Sequence, residues 1–546
     1  MKKIVLVLAV LLVSVSACKN PFLKKMLVEE GKGESSAVPK HTVTFSVEGT
    51  GGTLKAKADG VEETAKSPIS IEQGKKVTFT AEPAAGYIIK EWKVDGAVIT
   101  GNTENSYIHT VTKAVDVKVS FEAPFVEGGA SLILSPNKLT IQVKAVTSDG
   151  SAVAVEGCTE TSLASGDSTY TWLHATGTVV ILKGKIIELY CGDQGIQNKL
   201  TALNIQGLTA LQVLACNYNQ LTALNVQGLT ALQRLSCYEN QLTALDVQGL
   251  NNLQVLACGS NKLTALNVQD LSALQGLYCH RNQLTALDVQ GLSNLQRLAC
   301  SSNKLTALDI QDLSTLRDLH CNQNQLTALN IQGLSALERL ECWDNQLTAL
   351  DVQGCTALQW LWCWKNQLTS LNAQALSALE RLRCWDNQLT ALNIQGCTAL
   401  KELYCDNNRL TALNAQGCTA LESLNCSGEQ LTTLNVQGCT ALRWLYCGNN
   451  QLTALNAQGC TALQGLECYS NKLNADAFKK LFDDLPARQD SDNAKCILYI
   501  EETGVTEGNH TDFTAPPDLA AAFNNAKNNK KWKMYKWNVS WPGVEI

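Results

Sequence analysis

The sequence predicts a mainly β chain, the larger part of it a solenoid with one long parallel sheet. Small all-β domains precede that solenoid, and an α/β cap closes it. Three observations lead there. From Leu200 to Lys472 a 21-residue unit recurs thirteen times, for example LTALNVQGLTALQRLSCYENQ from Leu221 to Gln241. Every unit carries a cysteine at one position, an unbroken column from Cys216 through Cys237 and Cys342 to Cys468. Around each cysteine the residues alternate, as in Arg234-Leu235-Ser236-Cys237-Tyr238, which is the period-two pattern of a short strand.

A repeat of roughly 20–29 residues built on Leu-x-x-Leu-x-Leu-x-x-Asn is the signature of a leucine-rich repeat solenoid. Here cysteine takes the place of the third leucine. No single unit buries its own leucines, so neighbours must stack, and at ~4.8 Å per strand thirteen strands span roughly 60 Å. Asn240 and its equivalents follow each strand at a turn, where an amide side chain bonds nearby backbone. So short a unit leaves little room for a helix, and extended or 3₁₀ turns are expected around LTALNVQGL.

The 21-residue period and the cysteine ladder resemble the leucine-rich repeat surface proteins of the internalin J type in Listeria. The repeat consensus also resembles surface proteins of oral spirochaetes and Bacteroides-type bacteria. Those families are surface adhesins, so the resemblance implies a surface location and an adhesive role. It implies nothing about the identity of a ligand.

The remaining elements follow in chain order. Residues 1–17 read as a secretory signal, with Lys2 and Lys3 before the apolar run Ile4 to Val15. That run is too short to span a bilayer. Val15-Ser16-Ala17-Cys18 resembles a bacterial lipobox, which implies that Cys18 becomes a lipidated N-terminus and the only membrane anchor of an exported lipoprotein at the outer membrane or cell surface. Residues 18–40 read as a flexible tether. Residues 41–122 hold the alternating runs VTFSVEG, KKVTFTAEP and VDVKVSFE. With GYIIKEWKVDG they resemble internalin B-repeat modules, which implies a β-grasp-like spacer with Trp92 in its core. Residues 123–184 are β-rich and placed to cap the first hydrophobic layer. Residues 185–473 are the repeats, the first of them irregular, with Cys191 25 residues before Cys216. Residues 474–546 form the closing cap: a helix with Asn474 as N-cap, the strand KCILYIEE, a second helical stretch and a last strand KWKMYKW. Trp532, Trp537 and Trp541 are expected to pack the final layer.

Composition excludes several classes of function. The formal charge is −6, and loss of Lys2 and Lys3 with the signal takes it two units lower. That argues against nucleic acid and against an anionic membrane surface as partners. Of 22 cysteines, most stand at leucine positions. Cys355, Cys397, Cys418, Cys439 and Cys460 form a second column on the back strip. Cysteine at a leucine position acts as a small hydrophobe, and one cysteine per strand without a C-x-x-C pair is no metal-ligand pattern. Reduced, buried thiols and no metal are expected. HExxH, G-x-S-x-G and P-loop motifs are absent from the sequence. The expectation is a protein that is not an enzyme and takes no cofactor.

Function is therefore placed on the open strand face. Three columns point outward there: three before, one before and one after the ladder cysteine. The repeats hold twelve aromatic residues, and eleven stand in those columns. Trp343, Trp364 and Trp385 share one column in three consecutive units, which predicts a ladder. Trp360 stands between Arg339 and Arg381 in its own column, within cation–π reach. Trp, Tyr and Arg dominate binding hot spots. The expected binding patch centres on Trp362 and comprises Trp343, Trp360, Trp362, Trp364, Trp385, Arg339, Arg381, Arg383, Tyr404, Trp444 and Tyr446. Its partner is expected to be a protein on host or neighbouring bacterial cells. The alternative is a glycan stacked on the Trp column. One unit departs from the pattern: Glu429 stands where the turn Asn belongs. A buried unpaired carboxylate is expensive, so Glu429 is expected to swing into solvent.

Overall fold

The computed structural model describes residues 38–166, 169–193, 195–502, 504, 506–538 and 543–546. The expected signal, Cys18, most of the tether and Trp541 lie outside that set. Two compact units emerge: residues 38–48, Thr53–Glu82 and Glu91–Val119 form one, and Gly49–Gly52, Pro83–Lys90 and Ser120–Ile546 form the other.

The first unit is built of two sheets. One contains the strands Lys40–Glu48, Ile69–Glu72, Ile88–Val94 and Val115–Glu122; the other contains Gly52–Ala58, Val61–Thr64, Lys76–Pro83 and Ser106–Thr110. Their inner faces meet through aromatic rings, with centroids 5.8 Å apart for both Phe45–Phe79 and Trp92–Tyr107. Trp92 is fully buried and its indole N–H donates to the Glu104 carbonyl at 3.0 Å. The strands of this stretch are joined without a helix among the described residues of 41–122. Every apolar run in this stretch has period two, so two half-apolar sheet faces close on each other.

The second unit opens with antiparallel strands. Gly129–Leu134 pairs with Val179–Lys183 and with Leu200–Asn204, and Thr140–Thr147 pairs with Ile186–Tyr190. Ile186–Tyr190 then starts the parallel sheet, with Leu189 opposite Leu214. The irregular first repeat thus stacks in register despite its inserted loop. From there each 21-residue step adds one strand, Leu214 to Leu235 to Leu256 and onward, within a sheet of 19 strands. The inward Leu and Cys of each strand are buried, and one apolar core runs without a break from Ala130 to Met534. Burial holds the Cys237 and Cys342 thiols well above their ordinary pKa, as expected of small hydrophobes.

The turn asparagines tie this core together. Asn240 Oδ1 accepts the Leu221 N–H at 3.0 Å, and its Nδ2 donates to the carbonyls of Cys216 and Cys237 at 3.0 and 3.1 Å. Each such amide therefore joins two repeats and satisfies backbone groups that water does not reach. The residue before it takes a left-handed conformation, at φ 54° for Glu239 and 56° for Asp344. At Glu429 the expectation fails. The side chain is buried and its carboxylate accepts the N–H groups of Asn408 and Leu410 at 2.6 and 2.7 Å. It occupies the asparagine position because two buried donors there need acceptors.

The back strip is extended, as predicted, and its spacing follows side-chain size. Where Ala373 and Ala415 replace the usual Val or Ile, adjacent units close enough for the Ala373 N–H to reach Asn393 O at 2.8 Å, and Ala415 to reach Asn435 O at 2.8 Å. Short strands form there, Ser370–Asn372 with Ala391–Asn393 and Ala412–Asn414 with Thr433–Asn435. In the second cysteine column the thiols find carbonyls of the preceding unit, Cys397 on Ala373 O at 3.1 Å and Cys439 on Ala415 O at 3.3 Å.

The closing cap continues the sheet. Lys495–Ile500 pairs in parallel with Gly465–Glu467, and Lys533–Trp537 adds the next strand. The helix Ala475–Asp484 starts at Asn474, whose side chain accepts the Ala477 N–H, and buries Phe478, Leu481 and Phe482. Trp532 is buried, with its N–H on Pro486 O at 2.8 Å. Trp537 is half-buried and stacks on Tyr469 at 5.9 Å.

Candidate functional site

The outward columns of the parallel sheet carry the expected patch. Strands Arg339–Glu341, Trp360–Trp362, Arg381–Arg383 and Glu402–Tyr404 lie side by side, with Arg339, Trp360 and Arg381 in register, followed by Glu402. Period-two alternation puts Leu340, Leu361 and Leu382 in the core and their neighbours on the open face.

Trp343, Trp364 and Trp385 form a continuous stack. The ring centroids are 4.8 and 4.3 Å apart, and the planes lie within 10° of parallel. The sheet spacing alone sets this distance. Trp360 and Trp362 stand beside the stack, and Trp362 meets Trp364 at 5.7 Å. Arginine covers their faces. Arg339 lies 4.4 Å above Trp360 and 5.0 Å above Trp362; Arg381 lies 5.2 Å from Trp360 and Arg383 5.0 Å from Trp362. Arg383 also approaches Tyr404 at 5.4 Å.

Two carboxylates anchor these guanidinium groups. Glu341 is buried and bonds Arg339 Nη2 at 2.5 Å and His320 Nδ1 at 3.2 Å. Burial alone would raise its pKa; His320 and Arg339 beside it hold it below the usual value. Glu402 meets Arg383 at 3.1 Å and Arg381 at 3.5 Å. Just past the stack, burial pushes Asp406 up to about 6.

The five tryptophans are half-buried, not fully exposed as the sequence suggested. They shield one another, and Trp364 has a ring on each face. Among the described residues, six buried side-chain polar atoms lack a hydrogen-bond partner, and four of them are here: Trp343 Nε1, Trp362 Nε1, Arg381 Nε and Arg383 Nε. All four are donors.

Not every expected residue joins the patch. Trp444 and Tyr446 lie two strands beyond Tyr404, separated from it by Ser423–Asn425. Trp444 lies over Gly465, where an added Cβ would come within 2.2 Å of its ring. A cavity that no sequence motif marks lies on the same face. It measures about 300 Å³ and lies over Ala299 and Ser301, with Tyr278, His280 and His320 on its walls. His280 and His320 stand in different columns, and only the register of the strands shows that they share a cavity. Among the described residues no cluster of His, Cys, Asp and Glu is arranged to hold a metal ion, and no helix is long and apolar enough to cross a membrane.

Residues 41–124 match the family of the divergent InlB B-repeat domain. No curated protein matches the chain. Among solved structures, the functional domain of internalin J from Listeria monocytogenes, which includes a cysteine ladder, is similar at 28% identity and a TM-score of 0.47, over 60% of this chain and 76% of that one. A leucine-rich repeat protein of Leptospira interrogans is 26% identical with a TM-score of 0.47, over 60% of this chain and 84% of that one. YopM, a leucine-rich effector protein from Yersinia pestis, is 25% identical with a TM-score of 0.46, over 57% of this chain and 82% of that one. The chain is a mainly β leucine-rich repeat solenoid with a cysteine ladder, and the solved structures similar to it include internalins and other bacterial leucine-rich repeat proteins.

Proposed function

We propose that this chain is an exported, lipid-anchored surface adhesin that binds a protein on host or neighbouring bacterial cells through the open strand face around Trp362. One observation carries the reading: five tryptophans and three arginines are pre-packed on adjacent strands of the open face. Rigid aromatic and arginine groups fixed before contact lose little entropy on binding.

The same geometry favours protein over glycan. Sugar rings stack on aromatic faces, and in this patch Trp364 is covered by Trp343 and Trp385 while Trp360 and Trp362 are covered by arginine. The test is attachment of purified chain to intact cells. Trp360→Ala, Trp362→Ala and Trp364→Ala together should weaken attachment by about a hundredfold, the scale of losing one or two hot spots. Free monosaccharides should leave attachment unchanged. Full attachment by the triple variant would remove the patch reading, and competition by sugars would replace it with the glycan reading. Anchoring is tested separately, by Cys18→Ser and the loss of the chain from the membrane fraction.

A further inference from the structure

Three strands before Trp362 the open face dips. Ala299 and Ser301, both small, stand between larger neighbours on the adjacent strands. The walls lean away from this dip for visible reasons. The His280 ring lies flat over Gly259, where an added Cβ would come within 2.7 Å of it, so only glycine lets the ring lie down there. Tyr278 rests in the same way against Gly276, at 3.0 Å from such a Cβ. On the far side, Glu341 draws His320 toward itself at 3.2 Å. Arg297 Nε holds the Asp318 carboxylate at 3.1 Å on the rim. The result is a cavity of about 300 Å³ held open by contacts outside it.

Its chemistry is that of a neutral aromatic group. The floor is the Ala299 methyl and the walls are rings. The charges on the rim cancel within the chain, Arg297 against Asp318 and Arg339 against Glu341. Burial lowers the pKa of His280, which favours its neutral form. A fixed ion would find no unspent counter-charge here, whereas a ring with a polar tip finds rings on either side and the Arg297–Asp318 pair on the rim. The dip is also continuous with the tryptophan patch, because His320 bonds the Glu341 that anchors Arg339, and Arg339 covers Trp360 and Trp362.

We infer that this dip is a second pocket of the binding face, next to the tryptophan patch, and takes one tyrosine side chain of the protein partner. The inference deepens the adhesin reading and rests on it for the partner's being a protein. The test uses N-acetyl-tyrosinamide as probe and saturation-transfer NMR on the full chain. Ala299→Phe fills the pocket, removes no hydrogen-bonding group and places a strand-favouring residue on an exposed strand. Gly259→Ala is the second variant, which pushes the His280 ring off its resting place and into the cavity. The wild-type chain should give transfer to the probe's ring protons, and Ala299→Phe and Gly259→Ala should weaken it about tenfold or more. N-acetyl-leucinamide and methyl β-glucoside should give no transfer that Ala299→Phe removes. The pocket is overturned if the tyrosine probe gives equal transfer in wild type and Ala299→Phe, or if the glucoside alone is displaced by that substitution. The triple tryptophan variant should leave the probe signal unchanged, so loss of cell attachment and loss of the probe report on the two readings independently.

Discussion

Glu429 shows what a single residue does inside a repeated lattice. Its asparagine counterparts accept from one backbone N–H and donate to two cysteine carbonyls, as Asn450 does with Leu431 N, Cys426 O and Cys447 O. A carboxylate accepts twice and donates nothing. Burial pushes its pKa up to about 7, against the two backbone N–H bonds that favour the charged form and with the Asp406 charge adding to the rise. A carboxyl with a raised folded-state pKa binds more protons folded than unfolded, so stability falls as pH rises from the ordinary value of 4.5 through about 7. Replacing Glu429 with Asn should stabilise the chain by about 1–3 kcal/mol, and the gain should be larger at pH 8 than at pH 5. Urea unfolding at both values measures this, and an equal gain at both would show that charge is not the cause. The sequence misled here for a definite reason. Reading the carboxylate alone gives its desolvation cost, but not the two backbone donors that the fold has already buried beside it.

At the scale of the element, the asparagine ladder and the cysteine ladder are one device. Apart from Cys405 and Cys426, the two beside Glu429, each repeat's ladder-cysteine carbonyl is held by an amide of its own repeat and by one from the next, as Cys342 O is held by Asn345 at 3.0 Å and Asn366 at 3.1 Å. Removing Asn366 strands Leu347 N–H, and takes a donor from both Cys342 O and Cys363 O. Asn366→Ala should therefore destabilise by on the order of 3 kcal/mol. Native-state hydrogen exchange should locate the loss at the two flanking repeats, because each unit contacts only its neighbours. Uniform loss of protection across all repeats would contradict a nearest-neighbour lattice. These ladders were legible in the sequence because spacing is the signal: 21 residues bring like residues into register. The tryptophan stack was legible for the same reason. What the spacing does not carry is where a side chain leans. That Trp364 is covered on both faces, or that Gly259 lets His280 lie down and opens a cavity over Ala299, depends on side-chain packing that a column of letters does not encode.

For the whole second unit the decisive places are the two ends, since a stack of identical layers has no internal reason to stop. Both ends extend the asparagine device, Asn198 on the 21-residue spacing before Asn219 and Asn509 outside it. Asn198 donates to Gln142 O and Cys191 O at 2.7 and 2.9 Å, and Asn509 donates to Cys468 O at 2.8 Å while accepting the Leu473 N–H at 2.9 Å. Asn509 lies beyond a helix and a strand, so no periodicity pointed to it. The C-terminal end also supplies the strand Lys495–Ile500 that pairs with Gly465–Glu467, and the rings of Phe478, Phe482 and Phe513 that cover the last layer. Ending the chain at Lys472 should therefore bare both an apolar layer and a row of unpaired strand N–H and C=O groups, the template for edge-to-edge association. The shortened chain should leave a sizing column as dimers and larger species, and limited proteolysis should remove its repeats from the C-terminal end first. Light scattering that shows a stable monomer, with the repeat next to Lys472 as protected as one near Cys342, would mean that the repeats close themselves and that residues 474–546 serve another purpose.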